Sequence, residues 1–91
     1  MKTVLIVEDN DISVEVLEKV IKSVDDKTII KVAPNEDEAY LLAMKNNISL
    51  FLIDIILNPL NPGDVSGMNF AYQLRKIEKY RYTPIIFVTA I

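Results

Sequence analysis

Neither cysteine nor histidine occurs among the 91 residues of the chain. Without cysteine the chain can form no disulfide and no thiolate metal site. Without histidine it lacks the usual general base, the Ser-His and Cys-His couples, and imidazole metal ligands. Any chemistry must therefore rest on carboxylates, hydroxyls, lysines and the backbone.

Basic clusters and long apolar segments are also absent. The net charge is −3, with no run of Lys or Arg, which argues against direct nucleic-acid binding. The apolar stretch near the N-terminus is short and runs directly into Glu8 and Asp9, unlike a signal peptide, and nothing approaches the length of a membrane span. We therefore expect a soluble cytoplasmic protein with no membrane partner.

Hydrophobic residues make up 51% of the chain, which is enough for the core of one small domain spanning residues 1–91. Short runs rich in β-branched residues alternate with amphipathic segments. The predicted strands are 3–9, 28–33, 48–57 and 83–90, and the predicted helices are 10–24, 36–46 and 68–80. Strands that are apolar on both faces and alternate with helices predict an α/β fold with a doubly wound parallel sheet.

Cap residues and apolar stripes support the helix assignments. Asn10 or Asp11, Asn35 and Ser66 stand where N-caps are expected. Helical spacing places one apolar stripe of each helix against the core. The expected inward residues are Leu17, Val20, Ile21 and Val24 in the first helix, Ala39, Leu42 and Ala43 in the second, and Phe70, Leu74 and Ile77 in the third. The segment 58–67, which holds both glycines and two prolines, is predicted to be a loop.

The segment LFLIDIIL (50–57) is apolar except for Asp54, and a lone buried carboxylate is costly unless it is paired, coordinated or functional. Parallel sheets bind ligands at the carboxyl ends of their strands. If the first and third strands are neighbours, Asp54 lies beside Glu8 and Asp9, at the open end of its strand. Three converging carboxylates suit a hard cation such as Mg²⁺. A carboxylate beside a cation can also act as a nucleophile toward phosphorus.

With these residues placed, the chain resembles the receiver domain of two-component response regulators. Four segments carry the resemblance: the first strand with its acidic pair (4–10), Leu52-Ile53-Asp54-Ile55, Gly67 with Leu74-Arg75 in the following helix, and the strand 84–90. The resemblance implies the flavodoxin-like receiver fold with strand order 2-1-3-4. It also implies that the chain lacks the family's last helix-strand-helix portion.

The resemblance assigns a role to each site residue. Asp54 would be the phosphoacceptor, and its partner would be a histidine kinase or a phosphotransfer protein. Asp9, Asp54 and the backbone carbonyl of Ile56 would bind Mg²⁺ directly, whereas Glu8 would act through water. Thr89 would hydrogen-bond the phosphoryl group. The chain would thus be a phosphorylation-controlled signalling switch, catalysing at most its own phosphorylation and dephosphorylation.

The chain departs from the family pattern in two respects. Pro59 and Gly67 follow Asp54 later than the corresponding family residues, and the family's invariant lysine matches no residue here. Lys45, Lys76 and Lys79 are all predicted to be exposed on helices. In strand order 2-1-3-4 the fourth strand is an unprotected apolar edge, so we expect self-association through residues 84–90 by edge pairing or swapping.

Two other functions remain open from the sequence. A degenerate receiver would act as a constitutive protein–protein interaction module, which the missing lysine and the altered loop favour. More remotely, Asp9-Asn10-Asp11 looks like the start of a haloacid-dehalogenase-type phosphatase motif, with Asp9 as nucleophile and Thr89 as the second hydroxyl. The Gly-Thr continuation of that motif is absent, because Ile12-Ser13 follows.

Overall fold

The computed structural model describes residues 2–55 and 66–88. Four strands and three helices alternate along the chain, as the sequence predicts. They are β1 (Thr3–Val7), α1 (Asp11–Val24), β2 (Ile29–Ala33), α2 (Glu36–Lys45), β3 (Leu50–Asp54), α3 (Ser66–Lys76) and β4 (Ile85–Val88). A 3₁₀ turn, Glu78–Tyr80, lies between α3 and β4.

The four strands form one parallel sheet in the order β2-β1-β3-β4, which confirms the predicted topology. Val7 pairs with Ile53, and Asp54 pairs with Val88. The carboxyl ends of β1, β3 and β4 therefore lie side by side at one edge of the sheet. This is the edge where parallel sheets bind ligands.

The sheet is covered by helices on both faces, so the doubly wound architecture is also confirmed. Because side chains alternate along a strand, Leu5, Val7, Phe51 and Ile53 pack on one face with residues of α2 and α3. Val4, Ile6 and Leu52 point to the other face, where residues of α1 cover them. The central strands, β1 and β3, are thus buried on both faces, which explains their continuous apolar sequences.

The caps of the first two helices are as predicted. The side chains of Asn10 and Asn35 accept hydrogen bonds from the backbone N–H groups of Ser13 and Glu38, at 2.9 Å each. Each bond satisfies one of the free N–H groups of a helix N-terminus. The sequence therefore located the start of both helices to within one residue.

The third helix differs from its prediction at both ends. It begins at Ser66 itself, so Ser66 is its first residue and not its cap, and it ends at Lys76, short of residue 80. Ile77 is extended, and the 3₁₀ turn follows it. The Arg75 guanidinium donates to the carbonyl oxygens of Tyr80, Arg81 and Thr83 and holds this turn beside the helix end. The helical periodicity of the sequence cannot reveal a helix end that is fixed by contacts with the following turn.

The predicted inward stripe of α1 is only partly buried. Val14, Leu17 and Ile21 pack on the sheet, whereas Val20 and Val24 are exposed and line an open groove. Among the described helices, α1 alone contributes to this face of the core. A single helix rests on the sheet along one line, so the edges of its apolar stripe stay in solvent. The inward residues predicted for α2 and α3 are packed as expected.

None of the helices within residues 2–55 and 66–88 is long and apolar enough to cross a membrane.

Candidate functional site

The acidic pair lies in the turn that joins β1 to α1. The backbone N–H of Glu8 donates to the carbonyl of Ala33 at 3.0 Å, which extends the contact between β1 and β2 by one residue. Asn10 then caps α1. Its backbone N–H donates to Oε1 of Glu8 at 3.0 Å. The cap and the strand end together fix the Glu8 carboxylate at the edge of the sheet.

Asp54 is the last residue of β3 and lies next to this turn, because β1 and β3 are neighbours in the sheet. Carboxylate oxygens of Glu8, Asp9 and Asp54 lie within 4.8 Å of one another. The structure therefore brings together the three acidic residues singled out from the sequence. Glu8 and Asp54 are each only 3% exposed, whereas Asp9 is exposed.

The sequence predicts that Asp54 lies at the open end of its strand, whereas its side chain is almost fully buried in the structure. The helix α3 begins directly against the end of β3. The backbone N–H of Gly67 donates to the carbonyl of Ile55 at 3.3 Å, and a Cβ at position 67 would overlap the backbone carbonyl of Asp54. Only glycine lets the helix approach the strand this closely. The resemblance had singled out Gly67, but this contact is a property of the folded chain alone.

Burial and electrostatic repulsion together raise the pKa of the Glu8 carboxyl group. Burial raises the pKa of the Glu8 carboxyl to about 7; the nearby Asp54 charge and the hydrogen bonds to Asp54 and Asp9 add to this, while the Asn10 N–H opposes it. A carboxyl group with this pKa is partly protonated at neutral pH. The cluster therefore carries a proton that a bound cation would displace.

The donor set fits a hard divalent cation. All three side chains offer only oxygen, and the chain has no histidine or cysteine to favour a softer metal. A dication would offset the mutual repulsion of the carboxylates. A buried carboxylate beside a site that fits a divalent cation is an arrangement suited to phosphoryl transfer.

Several predicted features lie outside the described residues: the backbone carbonyl of Ile56, Thr89, and the loop as far as residue 65. The three lysines considered from the sequence are exposed, as predicted. Lys79 donates to the carbonyl of Asn46 at 2.7 Å, and Lys76 lies over the ring of Tyr72. Neither of these two ammonium groups serves the acidic cluster.

One contact in the site was missed from the sequence. The backbone N–H of Asn10 stabilises the ionised form of Glu8 by its hydrogen bond, in addition to the capping role of the Asn10 side chain. The position of Asn10 between the acidic pair and a helix was the available signal. A helix cap that directly follows an acidic residue places a backbone donor within reach of that residue.

The fold and the site together are those of a parallel α/β domain with an acidic cluster at the carboxyl ends of β1 and β3. Comparison with known proteins gives the family: the model of the response regulator receiver domain matches residues 4–91, and the chain belongs to this family. No curated protein matches the chain. The family membership leaves the haloacid-dehalogenase hypothesis without support.

Solved structures agree with this assignment. A complex of the histidine kinase ThkA with the response regulator TrrA contains a chain 30% identical to this one, with a TM-score of 0.76, covering 99% of this chain and 70% of the other. A putative response regulator from Chloroflexus aurantiacus is 27% identical, with a TM-score of 0.78 and coverage of 94% and 65%. The Mn²⁺-bound response regulator Rcp1 shares the fold, at 16% identity and a TM-score of 0.81, with coverage of 100% and 67%. The chain thus spans about two thirds of each matched chain.

Proposed function

We propose that the chain is a phosphorylation-controlled switch of a two-component system, in which Asp54 accepts a phosphoryl group in a Mg²⁺-dependent reaction. The observation that carries the proposal is the cluster itself: a buried carboxylate on β3 within 4.8 Å of two other acidic side chains, in a chain of the receiver family. Any catalytic activity would be limited to the phosphorylation and dephosphorylation of the chain itself.

The proposed step is a displacement at phosphorus. A carboxylate oxygen of Asp54 attacks the phosphorus atom of a phosphohistidine, and a new P–O bond forms as the P–N bond breaks. The imidazole nitrogen takes the electron pair of the broken bond and then a proton. Hydrolysis of the acyl phosphate later returns Asp54 to its carboxylate form. Catalysis rests chiefly on positioning and on electrostatic stabilisation.

Each residue of the proposed site would have its own role. Asp9, Asp54 and the carbonyl of Ile56 would hold Mg²⁺, with Glu8 acting through water. When bound, Mg²⁺ supplies positive charge that offsets the charge of the phosphoryl oxygens. Asp54 is the nucleophile, and Thr89 would hydrogen-bond the phosphoryl group. The oxygen-only donor set supports the choice of cation, and Rcp1, which shares the fold, has been solved with Mn²⁺.

The phosphoryl donor would be a histidine kinase or a phosphotransfer protein in the cytoplasm. This partner is supported by the TrrA complex with the histidine kinase ThkA, which contains a chain 30% identical to this one. Direct nucleic-acid or membrane contacts are not part of the proposal, given the net charge of −3.

A second candidate function is a constitutive interaction module that is never phosphorylated. One observation favours it: Lys76 and Lys79 make their contacts elsewhere, so neither gives the cluster the ammonium group that the family's lysine would provide. In that case the three carboxylates would be a remnant of the family pattern, and binding to the partner would not depend on a phosphoryl group.

The deciding experiment is the intact mass of the 91-residue chain before and after incubation with Mg²⁺ and a small acyl phosphate. We expect one added phosphoryl group on the native chain and none on Asp54→Asn. Asp37→Asn, an exposed carboxylate in the first turn of α2, is the matched control and should be phosphorylated like the native chain. A native chain that gains no mass would favour the constitutive module. Phosphate that persists in Asp54→Asn would overturn the assignment of the acceptor.

A further inference from the structure

Asn10 joins the acidic pair to the first helix through three hydrogen bonds. Its backbone N–H donates to Oε1 of Glu8 at 3.0 Å. Its side-chain Oδ1 accepts from the N–H of Ser13 at 2.9 Å, and its carbonyl accepts from the N–H of Val14 at 3.0 Å. One bond thus points back to the acidic cluster, and two point forward into α1.

The two forward bonds fix the direction of the backward bond. They hold Asn10 in the extended conformation of a helix cap, with φ at −90° and ψ at 115°. The φ angle sets the direction of the Asn10 N–H relative to the helix that follows. Without the side-chain bond to Ser13, the turn would be free to rotate, and the N–H would no longer stay within reach of Glu8.

The Glu8 side chain is long and flexible, yet its carboxylate is buried beside those of Asp9 and Asp54. Ordering such a side chain costs conformational entropy. The hydrogen bond from the Asn10 N–H offsets part of this cost, and it is charge-assisted because its acceptor is a carboxylate. The Glu8 carboxylate is therefore held in place before any cation arrives, which favours binding in the way that preorganisation generally does.

We propose that Asn10 is a positioning residue for divalent-cation binding, because its cap of α1 holds the Glu8 carboxylate toward the cation site. This inference rests on the proposed Mg²⁺-dependent function of the cluster. Asn10 is not itself a ligand in this proposal, since its side-chain oxygen is engaged with Ser13. Loss of a residue that orients a ligand in this indirect way typically weakens metal binding about 10–100-fold.

The effect of the cap on the cation has a counterpart in the effect of the cation on the cap, because coupling between two equilibria is reciprocal. If the cap strengthens the binding of Mg²⁺, bound Mg²⁺ strengthens the cap by the same factor. The N-terminus of α1 is then more firmly ordered in the cation-bound chain. The exchange of the Ser13 N–H with solvent should therefore slow when Mg²⁺ is added.

The second helix provides a matched control in the same chain. The side chain of Asn35 caps α2 by accepting from the N–H of Glu38 at 2.9 Å, and its carbonyl accepts from the N–H of Ala39 at 3.0 Å. Within the described residues, the hydrogen bonds of Asn35 lead to α2 alone. Both asparagines are exposed, so replacing either one opens no cavity. Asn10→Ala and Asn35→Ala therefore remove the same kind of cap, but only the first also loosens Glu8.

An NMR titration of the 91-residue chain with Mg²⁺ alone, beside urea unfolding in a chelator, tests the proposal. Both alanine variants should lose similar stability, but only Asn10→Ala should bind Mg²⁺ about 10-fold or more weakly than the native chain. Asn10→Ser, which retains a capping oxygen, should restore most of the affinity. In the native chain, Mg²⁺ should slow amide exchange at Ser13 more than at Glu38.

The possible failures are distinguishable. Equal Mg²⁺ affinities of Asn10→Ala and Asn35→Ala would overturn the positioning role of Asn10 and leave the proposed function intact. An affinity lost in Asn10→Ala and not recovered in Asn10→Ser would overturn the role of the cap. A native chain that binds no Mg²⁺ would overturn the Mg²⁺-dependent function, and this inference with it.

Discussion

Gly67 lies against the backbone carbonyl of Asp54, so closely that no other amino acid fits at position 67 without displacing the helix or the strand. The first turn of α3 is thereby fixed over the end of β3. The same contact holds the backbone of Asp54, whose carboxylate lies near that of Glu8. The geometry of the acidic cluster therefore depends on a residue that contributes no side chain to it.

Replacing Gly67 with Ala should both destabilise the fold and impair the site. A methyl group forced against a strand backbone costs about 1–3 kcal/mol in the free energy of unfolding. The same displacement should shift Asp54 and slow Mg²⁺-dependent phosphorylation under conditions in which the variant is fully folded. Urea unfolding and intact-mass kinetics measure the two effects. Asn69→Ala, an exposed change in the same helix, should leave both unchanged. Native-like stability of Gly67→Ala would contradict the close packing.

The stability of the metal-free chain should fall as the pH rises from about 4.5 to about 7. Over this range the folded chain keeps a proton on Glu8, whose pKa is raised to about 7, while the unfolded chain releases it near 4.5. Since the folded state binds more protons, the free energy of unfolding decreases with rising pH, by at most about 1.4 kcal/mol per pH unit for one group. Urea unfolding at a series of pH values in the presence of a chelator measures this slope.

Glu8→Gln is the control for the pH prediction, because the amide cannot titrate. Its stability should lack this component of the pH dependence between 4.5 and 7. A native chain and a Glu8→Gln variant with parallel pH profiles would show that Glu8 is not the group responsible.

Asp54→Asn should raise the stability of the metal-free chain while it abolishes phosphorylation. The change removes one of three clustered carboxylates and offers Glu8 an amide donor in place of a second negative charge. We expect a gain of about 0.5–2 kcal/mol in the free energy of unfolding above pH 7, where Glu8 is ionised. Saturating Mg²⁺ should reduce or reverse the difference, because the cation stabilises the native cluster more. Equal stabilities without metal would argue against repulsion within the cluster.

Tyr80→Phe should cost about 1–3 kcal/mol in the free energy of unfolding, although the ring is retained. The buried Tyr80 hydroxyl lies 2.6 Å from the carbonyl oxygens of both Ala43 and Asn46, and it accepts from the N–H of Ile48 at 3.3 Å. The phenylalanine variant would lose all three hydroxyl contacts, while the Asn46 carbonyl would keep its hydrogen bond from Lys79. Thermal or urea unfolding measures the loss.

Tyr82→Phe is the matched control for Tyr80, since its side chain is 89% exposed. We expect no measurable change in stability from it. If both tyrosine variants unfold like the native chain, the Tyr80 hydroxyl is not the tie between the end of α2 and the start of β3 that its contacts indicate.

Much of this fold could be predicted because it depends on short-range sequence patterns. The apolar strands and the Asn caps of α1 and α2 follow from neighbouring residues, and alternation of strands with helices predicts a parallel sheet. The acidic pair and Asp54 were also identifiable, since a lone carboxylate in an apolar strand is conspicuous. Val20 and Val24 were predicted wrongly, because their exposure depends on what lies beside α1 and not on the periodicity of α1.

The sequence by itself determined the element order, the parallel sheet and the residues of the acidic cluster, since these depend on residue type and short-range spacing. Only the tertiary structure decided how deeply those residues are buried and which groups lie beside them. The contact of Gly67 with the Asp54 backbone fixes α3 against the end of β3, and the burial of Glu8, with Asp54 beside it, raises the pKa of Glu8. The register of β4 on β3 likewise decides which backbone groups face outward. Such properties arise from the approach of segments distant in sequence, which no local pattern encodes.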